Sequence, residues 1–185
     1  MVGRGVLASA AVLAVCLPAV TMAARVPAWR PIAPPRLGIR FDLAADWAID
    51  TKWSLDNGWK WAAYSPGRIA WVRISTTTTT LDSTQLGHVF VERLRPSVKQ
   101  AVQGDPLGYF RTADTKVGGV PAVKLTIHDR GVTVLGVAEG TTIEYVLAHA
   151  GVAYVLEFDA TDPFFERFRP AFDHLVSSLR FTQVA

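Results

Sequence analysis

The hydrophobic period changes once between Thr141 and Phe181, and that change constrains the fold more than any other feature. Ile143, Tyr145 and Leu147 recur at every second position, the spacing of one strand face. Gly151 interrupts the pattern, and Val152, Tyr154, Leu156 and Phe158 resume it. From there Phe164, Phe165, Phe168, Phe172, Leu175, Val176 and Leu179 recur at helical spacing. A helix with one apolar stripe must cover something, and the hairpin just before it is the nearest apolar surface. The chain is therefore read as an α+β domain closed by its C-terminal helix.

A length of 185 residues suits one such domain plus a leader. Half of the residues are hydrophobic and 19% are charged, so the chain can bury a core. The formal net charge of +3 is small and evenly spread, which argues against nucleic acid or an anionic membrane surface as partner. At the start, Arg4 precedes an apolar run from Val6 to Val20, with no charge until Arg25 and small residues in Thr21-Met22-Ala23-Ala24. This pattern predicts a secretory signal over residues 1–24, cut after Ala23 or Ala24, and the run is short for a membrane span. An uncleaved anchor is the alternative. Cys16 is the single cysteine and lies inside the leader. The mature domain would then hold no thiol, which removes cysteine catalysis, thiolate metal sites and redox switching. Leu13-Ala14-Val15-Cys16 resembles the bacterial lipobox, whose cysteine is lipidated, but departs from it at Val15. Cys16 is thus either a lipidation site or a small hydrophobe within the run.

Four prolines between Arg25 and Arg36 predict an extended tether. The domain proper is expected over 37–182. Ile39, Phe41 and Leu43 alternate as a first strand, and Ala44 to Asn57 reads as an irregular connection. Gly58 to Tyr64 and Arg68 to Thr77 read as strands around the turn Ser65-Pro66-Gly67. Ser83 to Gln103 has a helical stripe, with Asp82 or Ser83 as cap and Pro96 as a kink or break. Strands over 109–117 and 120–129, a turn at Asp129-Arg130-Gly131 and a strand over 132–139 then lead into the hairpin, giving an antiparallel meander. The last helix starts either at the Asp162-Pro163 pair or at Pro170.

Chemistry-bearing motifs are scarce. His88, His128, His149 and His174 show no HExxH, HxH or His-x-x-His spacing, so no pair is held for metal by local geometry, although a fold could join His128 to His149. Glu157 and Asp159 share a strand face and suit acid–base work or cation binding, or simply a solvated edge. There is no GxSxG and no GxxxxGK[ST]. The unusual feature is tryptophan density: Trp47, Trp53, Trp59, Trp61 and Trp71 fall close together. Alternation places Trp59 and Trp61 on one strand face, and Trp71 with Arg73 on one face of the next. If these faces coincide, Trp59, Trp61, Trp71 and Arg73 form a ligand-binding aromatic platform beside a cation. If helices cover both sheet faces, the indoles are core.

The order of elements, beginning with FDLAADW and ending in GVAYVLEFDATDPFFERFRPAFDHLVSSLRF, resembles the PsbP-like family, which includes an extrinsic photosystem II subunit and secreted bacterial relatives. The Gly118 to Leu125 segment, GGVPAVKL, resembles the family's glycine turn into a long strand. The resemblance spans roughly residues 37 to 182 and implies an α/β/α sandwich with a central, mainly antiparallel β-sheet. It carries over no catalytic or ligand residues. The expected function is that of an exported cell-envelope binding or accessory domain, periplasmic, extracellular or at the cell surface, and lipid-anchored if Cys16 is modified. It would need no cofactor, span no membrane in its mature form and do no covalent chemistry. Its partner would be a protein, glycan or lipid of the envelope. The alternative is a metal-dependent or hydrolytic enzyme built on His128, His149 and nearby carboxylates.

Overall fold

The computed structural model describes residues 28–50, 58–103, 108–133 and 136–182. The leader with Cys16, and Trp53, lie outside the described residues. Ten strands are present among them: β1 (Trp29–Ile32), β2 (Ile39–Ala44), β3 (Ala48–Asp50), β4 (Trp61–Tyr64), β5 (Ala70–Thr78), β6 (Tyr109–Val117), β7 (Val120–Thr133), β8 (Gly136–His149), β9 (Val152–Thr161) and β10 (Arg180–Phe181). Two helices join them, α1 (Ser83–Gln103) and α2 (Phe165–Ser178). β3 to β9 form a seven-stranded antiparallel sheet in the order β3-β4-β5-β9-β8-β7-β6, and β1-β2-β10 form a second, smaller sheet. This is the expected α+β architecture around a central antiparallel sheet.

Strand alternation sends side chains to two different cores. Val72 and Ile74 of β5, Leu156 and Phe158 of β9, and Ile143, Tyr145 and Leu147 of β8 point to one face. There α2 presents Phe168, Phe172, Leu175 and Val176, and β2 presents Ile39, Phe41 and Leu43. The other face packs Leu125 and Val146 under Val91 of α1, with Leu86, Phe90 and Leu94 beside it. The small sheet is stitched to the core by polar contacts. The Tyr154 hydroxyl donates to the Leu37 carbonyl at 2.9 Å, and the Asp42 N–H donates to Ser178 Oγ at 2.9 Å. Among the described residues, no helix is long and apolar enough to cross a membrane.

Four local expectations change. Within the proline-rich segment expected as a tether, Trp29–Ile32 is a strand paired with β2. Pro31 is tolerated there because β1 is an edge strand, where a missing N–H breaks no second ladder. The stretch expected as an irregular connection contains β3, paired with β4. Asp129-Arg130-Gly131 is no turn: the β7–β8 ladder runs on to Thr133 opposite Gly136, because continuing a paired ladder outweighs a local turn preference. Finally, α2 begins at Phe165, after Pro163, and continues through Pro170. α1 likewise continues through Pro96.

The start of α1 carries a reciprocal capping box. Asp82 Oδ1 accepts from the Gln85 N–H at 2.8 Å, and Gln85 Oε1 accepts from the Asp82 N–H at 3.2 Å. Ser83 therefore does not cap; its hydroxyl donates to the Ala148 carbonyl and accepts from the Ala148 N–H, fixing α1 to the end of β8. One turn on, Gly87 lets the helix sit directly on the sheet. A β-carbon there would lie 2.2 Å from Cγ2 and 2.7 Å from Cβ of Val123. Gly87→Ala is expected to cost about 1–2 kcal/mol, the overpacking penalty exceeding the helix-propensity gain of about 1 kcal/mol. A urea titration checks this; a raised midpoint would mean that α1 does not seat so closely.

Candidate functional site

α1 packs on β6, β7 and β8, not to a comparable extent on β4, β5 or β9 among the described residues. The part of that face formed by β4, β5 and β9 carries a polar and aromatic cluster instead. Register builds it in two rows. Tyr64, Trp71, Asp159 and Thr142 stand side by side across β4, β5, β9 and β8. One step along the strands, Ala62, Arg73, Glu157 and Glu144 do the same and end against Leu125 of β7.

Arg73 is the centre. Its guanidinium is hydrogen-bonded to Glu157 Oε1 and lies 3.4 Å from Asp159 Oδ2. The Trp59 ring lies over it, 5.0 Å from guanidinium carbon to ring centroid, within range of a cation–π contact. Arg73 is half-buried and Glu157 is 7% exposed. Burial pushes the Glu157 carboxyl up and the Arg73 charge opposes it, with Asp159 adding a smaller push upward. Glu144 is 8% exposed, and its Oε2 has no hydrogen-bond partner among the described residues. Its carboxyl is pushed up to about 7, first by burial, then by the neighbouring Glu157 charge, with Arg73 pulling the other way. Arg73 thus stands against several carboxylates, walled by indoles and a phenol.

Of the four residues expected as a platform, three gather here and one does not. Trp59, Trp71 and Arg73 lie on this face. Trp61 pairs with Ile74, is 6% exposed and meets Phe41 edge-to-face at 5.1 Å in the opposite core. The shared face expected for Trp59 and Trp61 fails because β4 begins at Trp61; Trp59 precedes the strand, so alternation does not govern it. Trp47 is also core, edge-on to Phe168. Glu144 escaped the sequence reading. The available signal was a glutamate inside the apolar run Ile143 to Leu147, in phase with Val146 on the α1 face.

The histidines do not assemble. His128 pairs with Thr141, and His149 lies eight residues further along β8, about 26 Å away at ~3.3 Å per residue. A shared metal, which needs bonds near ~2 Å, is excluded for this pair, so the two histidines do not build one site. His128 Nδ1 is 3.0 Å from Thr141 Oγ1 and 3.5 Å from Asp162. His149 packs on Phe181, and His174 stacks on Trp29 at 3.8 Å. No cluster of three or more His, Cys, Asp or Glu side chains suits a metal ion among the described residues. A cleft of about 690 Å³ beside His149 is lined by Thr79, Asp82, Ser83 and Thr84. Asp82 and Ser83 are committed to the contacts that start α1.

No family model matches the chain, and no curated protein sequence does. Among solved structures it is similar to cyanobacterial PsbP (CyanoP) from Synechocystis sp. PCC 6803, with a TM-score of 0.56 at 14% identity, over 86% of this chain and 95% of that one. It is similar to the Ran-binding protein Mog1p of Saccharomyces cerevisiae, with a TM-score of 0.56 at 7% identity, over 85% and 97%. A protein from Bacteroides thetaiotaomicron gives 0.52 at 12% identity, over 83% of this chain and 48% of that one. At these identities the likeness is one of fold, and the chain has the PsbP-like fold.

Proposed function

We propose that this PsbP-like fold serves as an exported cell-envelope binding domain that does no covalent chemistry and holds its partner on the face of β4, β5 and β9. The observation that carries the reading is the cluster of Trp59, Arg73, Trp71 and Tyr64 on the part of the sheet beside α1. Arginine, tryptophan and tyrosine are the residues that dominate binding energy at protein interfaces, and here their rotamers are held by one another before any partner arrives. Export rests on the signal-like pattern of residues 1–24. The carboxylates around Arg73 give the patch a mixed charge, which suits a discrete partner better than a uniformly anionic surface.

Trp59→Ala/Trp71→Ala is the informative variant, because both side chains are partly exposed whereas Trp61 is core. Capture of a specific envelope component by the full chain is expected to fall about tenfold or more in the double variant. Its thermal unfolding should stay cooperative. Equal capture by both proteins would place the site elsewhere.

A further inference from the structure

The connection between β4 and β5 is built more rigidly than a surface turn needs. Ser65 is fully buried, and hydrogen bonds from both sides of the turn hold it. Its N–H donates to the Ala70 carbonyl at 2.9 Å, its Oγ accepts from the Ala70 N–H at 3.0 Å, and its carbonyl accepts from the Arg68 N–H at 3.0 Å. The turn so fixed puts both Gly67 and Arg68 in the left-handed region, at φ 75° and 55°. Glycine is at home there, but arginine is strained. What the strain achieves is position. The exposed Arg68 guanidinium lies 4.4 Å from the Tyr64 ring centroid and 5.9 Å from that of Trp71. The rings hold the side chain without neutralising it. Arg68 pairs with no carboxylate among the described residues, whereas Arg73 is matched by Glu157 and Asp159.

We propose that Arg68, on its Tyr64–Trp71 platform, anchors a carboxylate side chain of an acidic protein segment. This rests on the reading of the neighbouring face as the binding face and names the partner's chemistry. A guanidinium offers a planar fork that matches a carboxylate with two hydrogen bonds, and a fork already held in place loses little freedom on binding. An anionic bilayer or a nucleic acid needs several unpaired cations together. Among the described residues this corner offers Arg68, while Arg73 is already matched by Glu157 and Asp159.

A random displayed peptide library selected on the full chain tests the proposal, with phosphatidylglycerol vesicles as a parallel probe. Selected peptides are expected to carry Asp or Glu and to bind Arg68→Gln at least about tenfold more weakly. Arg68→Gly is expected to lose the same affinity while folding well, because glycine relieves the backbone strain. Arg68→Lys should retain part of the binding. Peptides without a carboxylate, or equal affinity for Arg68→Gln, would overturn the anchor even if Trp71→Ala still abolished binding. Binding indifferent to both Arg68→Gln and Trp71→Ala, or no peptide at all, would overturn the anchor and the binding face together. Arg68-dependent vesicle binding without acidic peptides would overturn the protein partner in favour of a lipid one.

Discussion

Arg73→Met is expected to destabilise the domain by about 3–5 kcal/mol near neutral pH. The reason is Glu157 rather than the lost arginine contacts. Glu157 is 7% exposed, and Arg73 provides the opposing charge and a hydrogen bond to its carboxylate. Without Arg73, the fold must hold an uncompensated buried carboxylate or protonate it. Two further measurements separate this cause from simple loss of packing. The penalty should shrink as pH falls, since a protonated Glu157 needs no counter-charge. The double variant Arg73→Met/Glu157→Gln should recover most of the loss, because removing both partners of a buried pair is far milder than removing one. A pH-independent loss that the double variant does not repair would mean that Arg73 acts through packing alone. Urea titrations of the three proteins at several pH values decide it.

Glu144→Gln is expected to stabilise the domain at pH 8 by on the order of 3 kcal/mol and to flatten its pH profile. The folded-state carboxyl is pushed up to about 7 from an ordinary 4.5, so between these values the folded chain holds a proton that the unfolded chain has released. Stability from this group is therefore complete below about pH 4.5 and is lost as pH rises through about 7. Glu157 is also raised, so its contribution runs in the same direction. Glutamine keeps the size of the side chain and removes the ionisation. A wild-type profile that does not fall between pH 4.5 and 7, or a Glu144→Gln profile that falls as steeply, would show that Glu144 is solvated in the folded chain.

A buried carboxylate pair sharing one guanidinium is a poor way to gain stability, and hydrophobic replacements of such groups are often neutral or better. Its position beside Trp59 and Trp71 links it to the proposed binding face: Arg73 supports the indole above it and holds the Glu157 and Asp159 carboxylates. Glu144→Gln should accordingly leave partner capture intact, while Arg73→Met should weaken it together with stability.

The sequence by itself determined the parts whose cause is local. The switch from a two-residue to a helical period over 141–181 gave β8, β9 and α2, and the stripe from Ser83 gave α1 from its first residue to its last. Gly118-Gly119 as a turn and the meander also follow from patterns within a few residues of each other. Which aromatics meet which charges was decided only by tertiary structure. Trp59 and Trp61 stand two positions apart, yet one shields Arg73 and the other packs on Phe41, because the strand starts between them. Arg73, Glu157 and Glu144 come from three strands, and their alignment depends on ladder register, which no single strand encodes. A fold could have joined His128 to His149; the register of β7 on β8 instead sets His128 opposite Thr141, eight residues along β8 from His149. Periodicity is a property of one segment, whereas a site is a coincidence of several segments held in register by the core beneath them.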